Sequence, residues 1–177
     1  SFLELAGAEI PPLVVERLDT FGETARLLGE RTAALHLALA SGPDDPDFAP
    51  EPMTPYHLRS LYQSMRNQAT DVFSRLRQRM KALPDTTRTH AEQVAALQAE
   101  IIKRFRALSE GRLTGARIRV HGDYWLGQVL HTGKDLVIID FEGDVSRPLS
   151  QRRLKRTPFR DVTSMVRSFH HAAAAAL

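Results

Sequence analysis

Three side chains in one short stretch have the types and the spacing that phosphoryl transfer needs. Asp123 is followed five residues later by the amide Gln128, and twelve residues after that by Asp140, which ends the apolar run Leu136-Val137-Ile138-Ile139. Moving a phosphoryl group requires a carboxylate that orients the attacking hydroxyl and takes its proton, and Mg²⁺ held against phosphate oxygens. Mg²⁺ accepts a few hard oxygen ligands and keeps several waters. Asp123 therefore reads as the catalytic base, with Gln128 (through its amide oxygen) and Asp140 as metal ligands. Glu142 is a weaker candidate, because Gly143 beside it suggests a turn that aims it elsewhere. Without that chemistry, Asp123 and Asp140 would be turn and strand-end caps. The coincidence of two acids, an amide and His121 favours the site, and His121 is expected to hold the loop by hydrogen bonds.

A hairpin would bring these groups together. Ile118 and Val120 are short-strand material, and Val129-Leu130 and Leu136 to Ile139 are apolar runs divided by the turn His131-Thr132-Gly133-Lys134. Asp123 would lie in the loop after one strand, Gln128 at its far end and Asp140 at the end of the partner strand. The rest reads helical. Ala25, Leu28, Leu35 and Leu39 form one helical face that should stop at Ser41-Gly42-Pro43. Gly42 to Pro52 holds four prolines and four acids and is expected to be an exposed, extended loop. Thr54-Pro55 caps a second helix whose apolar stripe runs from Leu58 through Met65, Phe73 and Met80. A third is expected from about Arg88 to Glu110, ending at Gly111, and a last one opens at Pro158 and runs through Met165 and Phe169.

Length and composition limit the remaining classes. The 177 residues fit a single domain with a substantial core. A hydrophobic share of 42% and a charged share of 25% are ordinary for a soluble chain. No apolar run is long enough to span a membrane, and the net charge of +3 is modest. One short basic cluster, Arg152 to Arg156, reads as a solvated loop or helix turn, so neither nucleic acid nor membrane is an expected partner. Absence of cysteine excludes thiolate metal sites and fits a reducing, cytoplasmic compartment. His36 reads as a buried, hydrogen-bonded histidine, and His170-His171 lack a third ligand at helical spacing. The start Ser1-Phe2-Leu3-Glu4-Leu5 does not read as a signal peptide and suggests an internal start.

The stretch from His121 to Gly143 resembles the catalytic-loop motif of the aminoglycoside-phosphotransferase-like kinases, relatives of the protein-kinase fold. The runs Ile118-Arg-Val-His-Gly-Asp123, Leu126-Gly-Gln-Val-Leu130, Ile139-Asp-Phe-Glu-Gly143, Arg147-Pro-Leu149 and Arg160-Asp-Val162 resemble, more closely, the maltokinase family, especially the form fused behind trehalose synthase. Phe48 to Pro52 and Leu61 to Asn67 extend the likeness over nearly the whole chain. The resemblance implies an α+β, mainly helical C-terminal lobe of a kinase-like fold, with a small β-hairpin carrying the catalytic loop. It also implies ATP- and Mg²⁺-dependent phosphorylation of the anomeric hydroxyl of maltose, giving maltose 1-phosphate. By motif position Asp123 matches the base, and Gln128 and Asp140 match the metal ligands. His121 and Trp125 fall among the cofactor-binding positions, and Asp161 matches an acid that braces the loop.

Two departures from the family pattern stand out. Gly7, Gly22 and Gly29 form no phosphate-covering loop and no lysine precedes Lys81, so the N-terminal ATP-binding lobe has no counterpart in this sequence. The fragment alone is expected to bind nucleotide poorly, with that lobe and a fused trehalose synthase domain as its implied partners. An apolar patch near residues 1–20 is expected to promote self-association. Trp125 also stands where the family has His, and an indole offers one neutral N–H and no positive charge. It reads either as a lost phosphate donor, as a stacking face for a sugar, or as packing in a site that has lost activity. Two rival readings follow: a kinase for another sugar or aminosugar, and a non-catalytic glucan-binding or docking domain.

Overall fold

A computed structural model describes residues 7–111 and 115–176; Ser1 to Leu5 and the first part of the expected apolar patch lie outside them. In chain order come α1 (Pro12–Leu18), α2 (Thr20–Ala38), β1 (Glu51–Pro52), α3 (Pro55–Arg79), α4 (Asp85–Ala96), α5 (Gln98–Glu110), β2 (Ala116–Arg117), β3 (Val129–His131), β4 (Leu136–Ile138), α6 (Leu149–Arg152) and α7 (Phe159–Ala175). The architecture is α+β and mainly helical, with the hairpin where the alternating apolar runs put it. β1 pairs with β2, and β3 pairs antiparallel with β4 in the register Val129–Ile138, Leu130–Val137, His131–Leu136. Among the described residues no helix is long and apolar enough to cross a membrane.

The chain forms two compact units, residues 52–116 and residues 1–51 with 117–177. The first is built on α3. Thr54 caps it by accepting from the His57 backbone N–H, and Pro55 opens it, where its missing N–H costs nothing. Leu58, Phe73 and Ala91 form the buried residues of this unit. The single helix expected from Arg88 to Glu110 is two helices. Leu97 takes ψ −4° and its N–H turns to the carbonyl of Val94, three residues back, so the helical ladder is broken there. The apolar stripe continues across the break, which is why periodicity alone does not reveal it.

The second unit holds the candidate site. Its core is Leu28 of α2, Tyr124 of the loop, Leu136 of β4 and Met165 of α7, with Leu27, Leu126, Val129, Ile138 and Phe169 packed around them. Arg31 of α2 forks onto the Asp135 carboxylate at 2.8 and 3.0 Å, tying the hairpin turn to the helix. Exposed apolar residues cluster on and beside α1, where Ile10, Leu13, Val15 and Phe21 are at least half exposed.

Two loop expectations are corrected here. Ile118 forms one antiparallel bridge with Arg156, and Val120 belongs to no strand. The basic cluster is not simply solvated, since Lys155 is buried and donates to the carbonyls of Pro46 (2.5 Å) and Ala49 (2.6 Å), with Glu51 at 3.2 Å. Those bonds fold Gly42 to Pro52 into turns rather than an extended loop, because the ammonium's three donors draw in carbonyls that would otherwise face water. Arg117 also pairs with Glu51.

Candidate functional site

The loop between Ile118 and Val129 is held from beneath by one carboxylate. Asp161, in the first turn of α7, has no exposed surface. Its Oδ2 accepts the backbone N–H of His121 (2.9 Å) and Nε2–H of His36 (3.0 Å), and its Oδ1 accepts the N–H of Gly122 (3.0 Å). Burial pushes this carboxyl up, but the His36 bond, the two backbone N–H groups and the His36 charge outweigh it and hold the group below its ordinary value. The brace expected at Asp161 is thus in place, and His36 is hydrogen-bonded as the sequence suggested but only partly buried.

Gly122 adopts φ +85°, a left-handed conformation open to glycine, and lets the loop turn closely past Gly143, whose own φ is +73°. His121 is buried. Its Nε2–H donates to the carbonyl of Ile139 (2.8 Å), and the Asp123 N–H approaches its Nδ1 at 3.4 Å. Both ring nitrogens thus have backbone partners, at Ile139 and Asp123. Tyr124 anchors the other side. Thr32 uses its proton on the carbonyl of Leu28 (2.7 Å), so the buried Tyr124 hydroxyl donates to Thr32 at 2.8 Å. The Leu126 N–H is fixed by Ser168 at 3.1 Å. Asp123 lies between these anchors, half-buried, and its carboxylate accepts no hydrogen bond among the described residues.

A single 3₁₀ turn, Leu126–Gln128, carries the chain into β3. Gln128 is buried at its end, with its carbonyl accepting the N–H of Ile139 (3.0 Å) and its amide Nε2 donating to Oδ2 of Asp140 (2.9 Å). Asp140 has φ +68°, a costly conformation that short polar side chains tolerate. It turns the chain out of β4 so that the carboxylate meets the amide. Gln128 and Asp140 are thus brought together as the spacing suggested. The amide oxygen and the second carboxylate oxygen make no hydrogen bond among the described residues, a hard-oxygen pair that fits Mg²⁺ with retained waters. Glu142 lies exposed, and its backbone carbonyl accepts from Arg152 (2.9 Å).

Trp125 is 48% exposed and its indole lies over Gly127, where an added Cβ would come within 2.2 Å of the ring. The glycine thus leaves room for the indole beside the catalytic loop. Gly127→Ala is expected to swing the ring outward. Trp125 is the only tryptophan of the chain, so its emission reads the change directly. A red shift of about 3–8 nm and stronger iodide quenching are expected, since ring burial excludes water and quencher. An unchanged spectrum would mean that the indole does not rest on Gly127.

Sequence reasoning missed Thr32, Tyr124 and Ser168 as loop anchors, since a hydroxyl on a helix and one aromatic in a loop carry no local signal of mutual contact. In comparisons with known proteins, the family model described as APH, phosphotransferase enzyme family, matches residues 9–146. Among solved structures, a glucosamine kinase in complex with glucosamine, ADP and inorganic phosphate is 26% identical with a TM-score of 0.65, over 84% of this chain and 33% of that one. Another glucosamine kinase structure, crystal form A, is 27% identical with a TM-score of 0.64, over 84% and 32%. The chain spans about a third of the length of these structures.

Proposed function

This chain belongs to the phosphotransferase enzyme family, and from that premise we propose that it is the catalytic-loop lobe of an ATP- and Mg²⁺-dependent sugar kinase. The observation that carries the reading is the 2.9 Å bond between Gln128 and Asp140, at the end of the braced loop that presents Asp123. In this reading Asp123 orients the sugar hydroxyl and takes its proton as the oxygen attacks the terminal phosphorus of ATP, whose bond to the bridging oxygen breaks and releases ADP. Gln128 and Asp140 hold the cation, which when bound would neutralise charge on the phosphate oxygens. His121 and Asp161 position the loop and touch no substrate. Trp125 offers its exposed indole as a stacking face for a sugar ring.

Maltose is the first substrate to test, because the motifs from Ile118 to Val162 resemble the maltokinase family, and its product would be maltose 1-phosphate. The likeness to glucosamine kinases supports a second reading, an aminosugar kinase. An ADP-release assay on the full-length protein with ATP and Mg²⁺ separates them. Maltose is expected to give a kcat/KM at least about tenfold above glucosamine, the discrimination that about 1.4 kcal/mol of differential transition-state binding yields. Turnover of glucosamine alone would make the substrate an aminosugar. Sugar binding without turnover of any sugar would support a non-catalytic glucan-binding domain, docked on a fused partner such as trehalose synthase.

A further inference from the structure

Against Gly122 of the loop that carries Asp123, four arginines surround one cavity. Arg147, Arg152, Arg156 and Arg160 line it, joined by Asp144 and Gln151. Its wall is the backbone of Gly122 and Gly143, the two left-handed glycines whose close approach shapes the loop. The cavity measures about 20 Å³. A single water needs about 10–15 Å³ of such space, so neither a sugar nor a nucleotide fits inside it.

The charges around this cavity are poorly balanced. Asp144 is its only carboxylate and is already engaged by Arg147 (3.1 Å), the Ser146 hydroxyl (2.5 Å) and the Ser146 N–H (3.0 Å). Arg152 donates through Nη1 to the Glu142 carbonyl, but its buried Nε has no partner. Arg160 reaches the Gly122 carbonyl only at 3.5 Å. Among the described residues the Arg156 guanidinium has no ion-pair partner at all. Burial, followed by repulsion from Arg160, Arg147 and Arg117, holds it below its ordinary value. Guanidinium groups crowded without counter-charge cost stability, and a neutralising ligand would recover it.

We propose that this arginine cavity is a binding site for one small oxyanion, an inorganic phosphate or the phosphate group of a monoester. Guanidinium forks match the oxygens of a tetrahedral anion, and several forks converging on one small space select such an anion over chloride. Arg160 stands in the first turn of α7, where the helix adds positive potential of its own. Arg152 ends α6, and the backbone of Arg156 pairs with Ile118 just before the catalytic loop. An anion bridging these side chains would therefore tie α6, α7 and the start of the loop together beneath Gly122. The site is separate from the proposed cation ligands and does not depend on the kinase reading.

Thermal unfolding and isothermal titration test the proposal on the full-length protein, with inorganic phosphate, glucose 6-phosphate as a monoester, and chloride at matched ionic strength. Phosphate at about ten times its dissociation constant is expected to raise Tm by about 3–6 °C over chloride, with a saturable one-to-one isotherm. Arg156→Gln and Arg147→Gln are each expected to weaken phosphate at least about tenfold, and Arg147, at the rim, serves if the Arg156 variant does not fold. Asp123→Asn is expected to bind phosphate as the parent does, which separates this site from the catalytic one. A monoester that saturates alongside or in place of phosphate, and is weakened by the same variants, supports the site and identifies the source of the group. A shift equal to that of chloride, or phosphate binding undiminished in both arginine variants, overturns the proposal.

Discussion

Asp123→Asn is expected to lower kcat for sugar phosphorylation by about 10²–10⁴-fold, equivalent to about 3–5 kcal/mol of transition-state stabilisation. The amide keeps the size of the side chain but cannot take the proton that leaves the attacking hydroxyl. The effect should fall on kcat rather than on the apparent affinity for ATP, because in this reading Asp123 contacts the acceptor and not the nucleotide. Stability should change little. The carboxylate accepts no hydrogen bond among the described residues, so the substitution breaks none of the loop's anchors. ADP release measured beside thermal unfolding of the same variant reads both quantities. A variant with more than about a tenth of the parent kcat would remove Asp123 from the role of base. A variant both inactive and strongly destabilised would make it a structural residue instead.

The spacing that points to Asp123 also made Gln128 and Asp140 legible, because a loop, a tight turn and a two-strand hairpin are local structures with local signals. Thr54-Pro55, the stripe from Leu58 to Met80 and the breaker at Ser41-Gly42-Pro43 were legible for the same reason, since caps and periodicity act within a few residues. What escaped depends on partners far along the chain. Asp161 could be placed by its motif, but its partner His36 lies 125 residues away and only the fold joins them. Lys155 escaped because lysine is among the residues least often buried, and its partners Pro46 and Ala49 are carbonyls that any sequence could supply. The break at Leu97 escaped because leucine continues the apolar stripe while its backbone leaves the helix. The arginine cavity escaped in a similar way. Arg152 to Arg156 read in sequence as a solvated basic cluster, with Arg147 and Arg160 only parts of separate motifs, and only the turn through Gly143 and the bridge at Ile118 bring the four arginines around one space.

Asp161→Ala should be the most damaging single change to the folded state. It leaves two backbone N–H groups and the His36 N–H without their shared acceptor, which is fully buried, and breaking a buried charged network of this kind costs about 3–5 kcal/mol. For a chain of this length each kcal/mol moves Tm by about 2–4 °C, so a drop of about 6–20 °C is expected. Asp161→Asn keeps the volume and one acceptor but points an NH₂ group at a donor, so it should fall between parent and alanine variant. The asparagine variant also isolates the charge. Because the folded carboxyl titrates below its ordinary value of about 3.9, its stabilisation is fully present above that pH and is lost as pH falls through the lower folded value. The stability gap between parent and Asp161→Asn should therefore be wide near pH 6 and close progressively below about pH 4. His36→Leu removes one donor and leaves both loop N–H bonds, so its gap should be smaller than that of Asp161→Ala at every pH. A gap between parent and Asp161→Asn that stays constant down to about pH 2 would show that the bonds hold the catalytic loop through shape alone. A closing gap would make the charge on Asp161 the reason that the backbone of His121 and Gly122 stays fixed beneath Asp123.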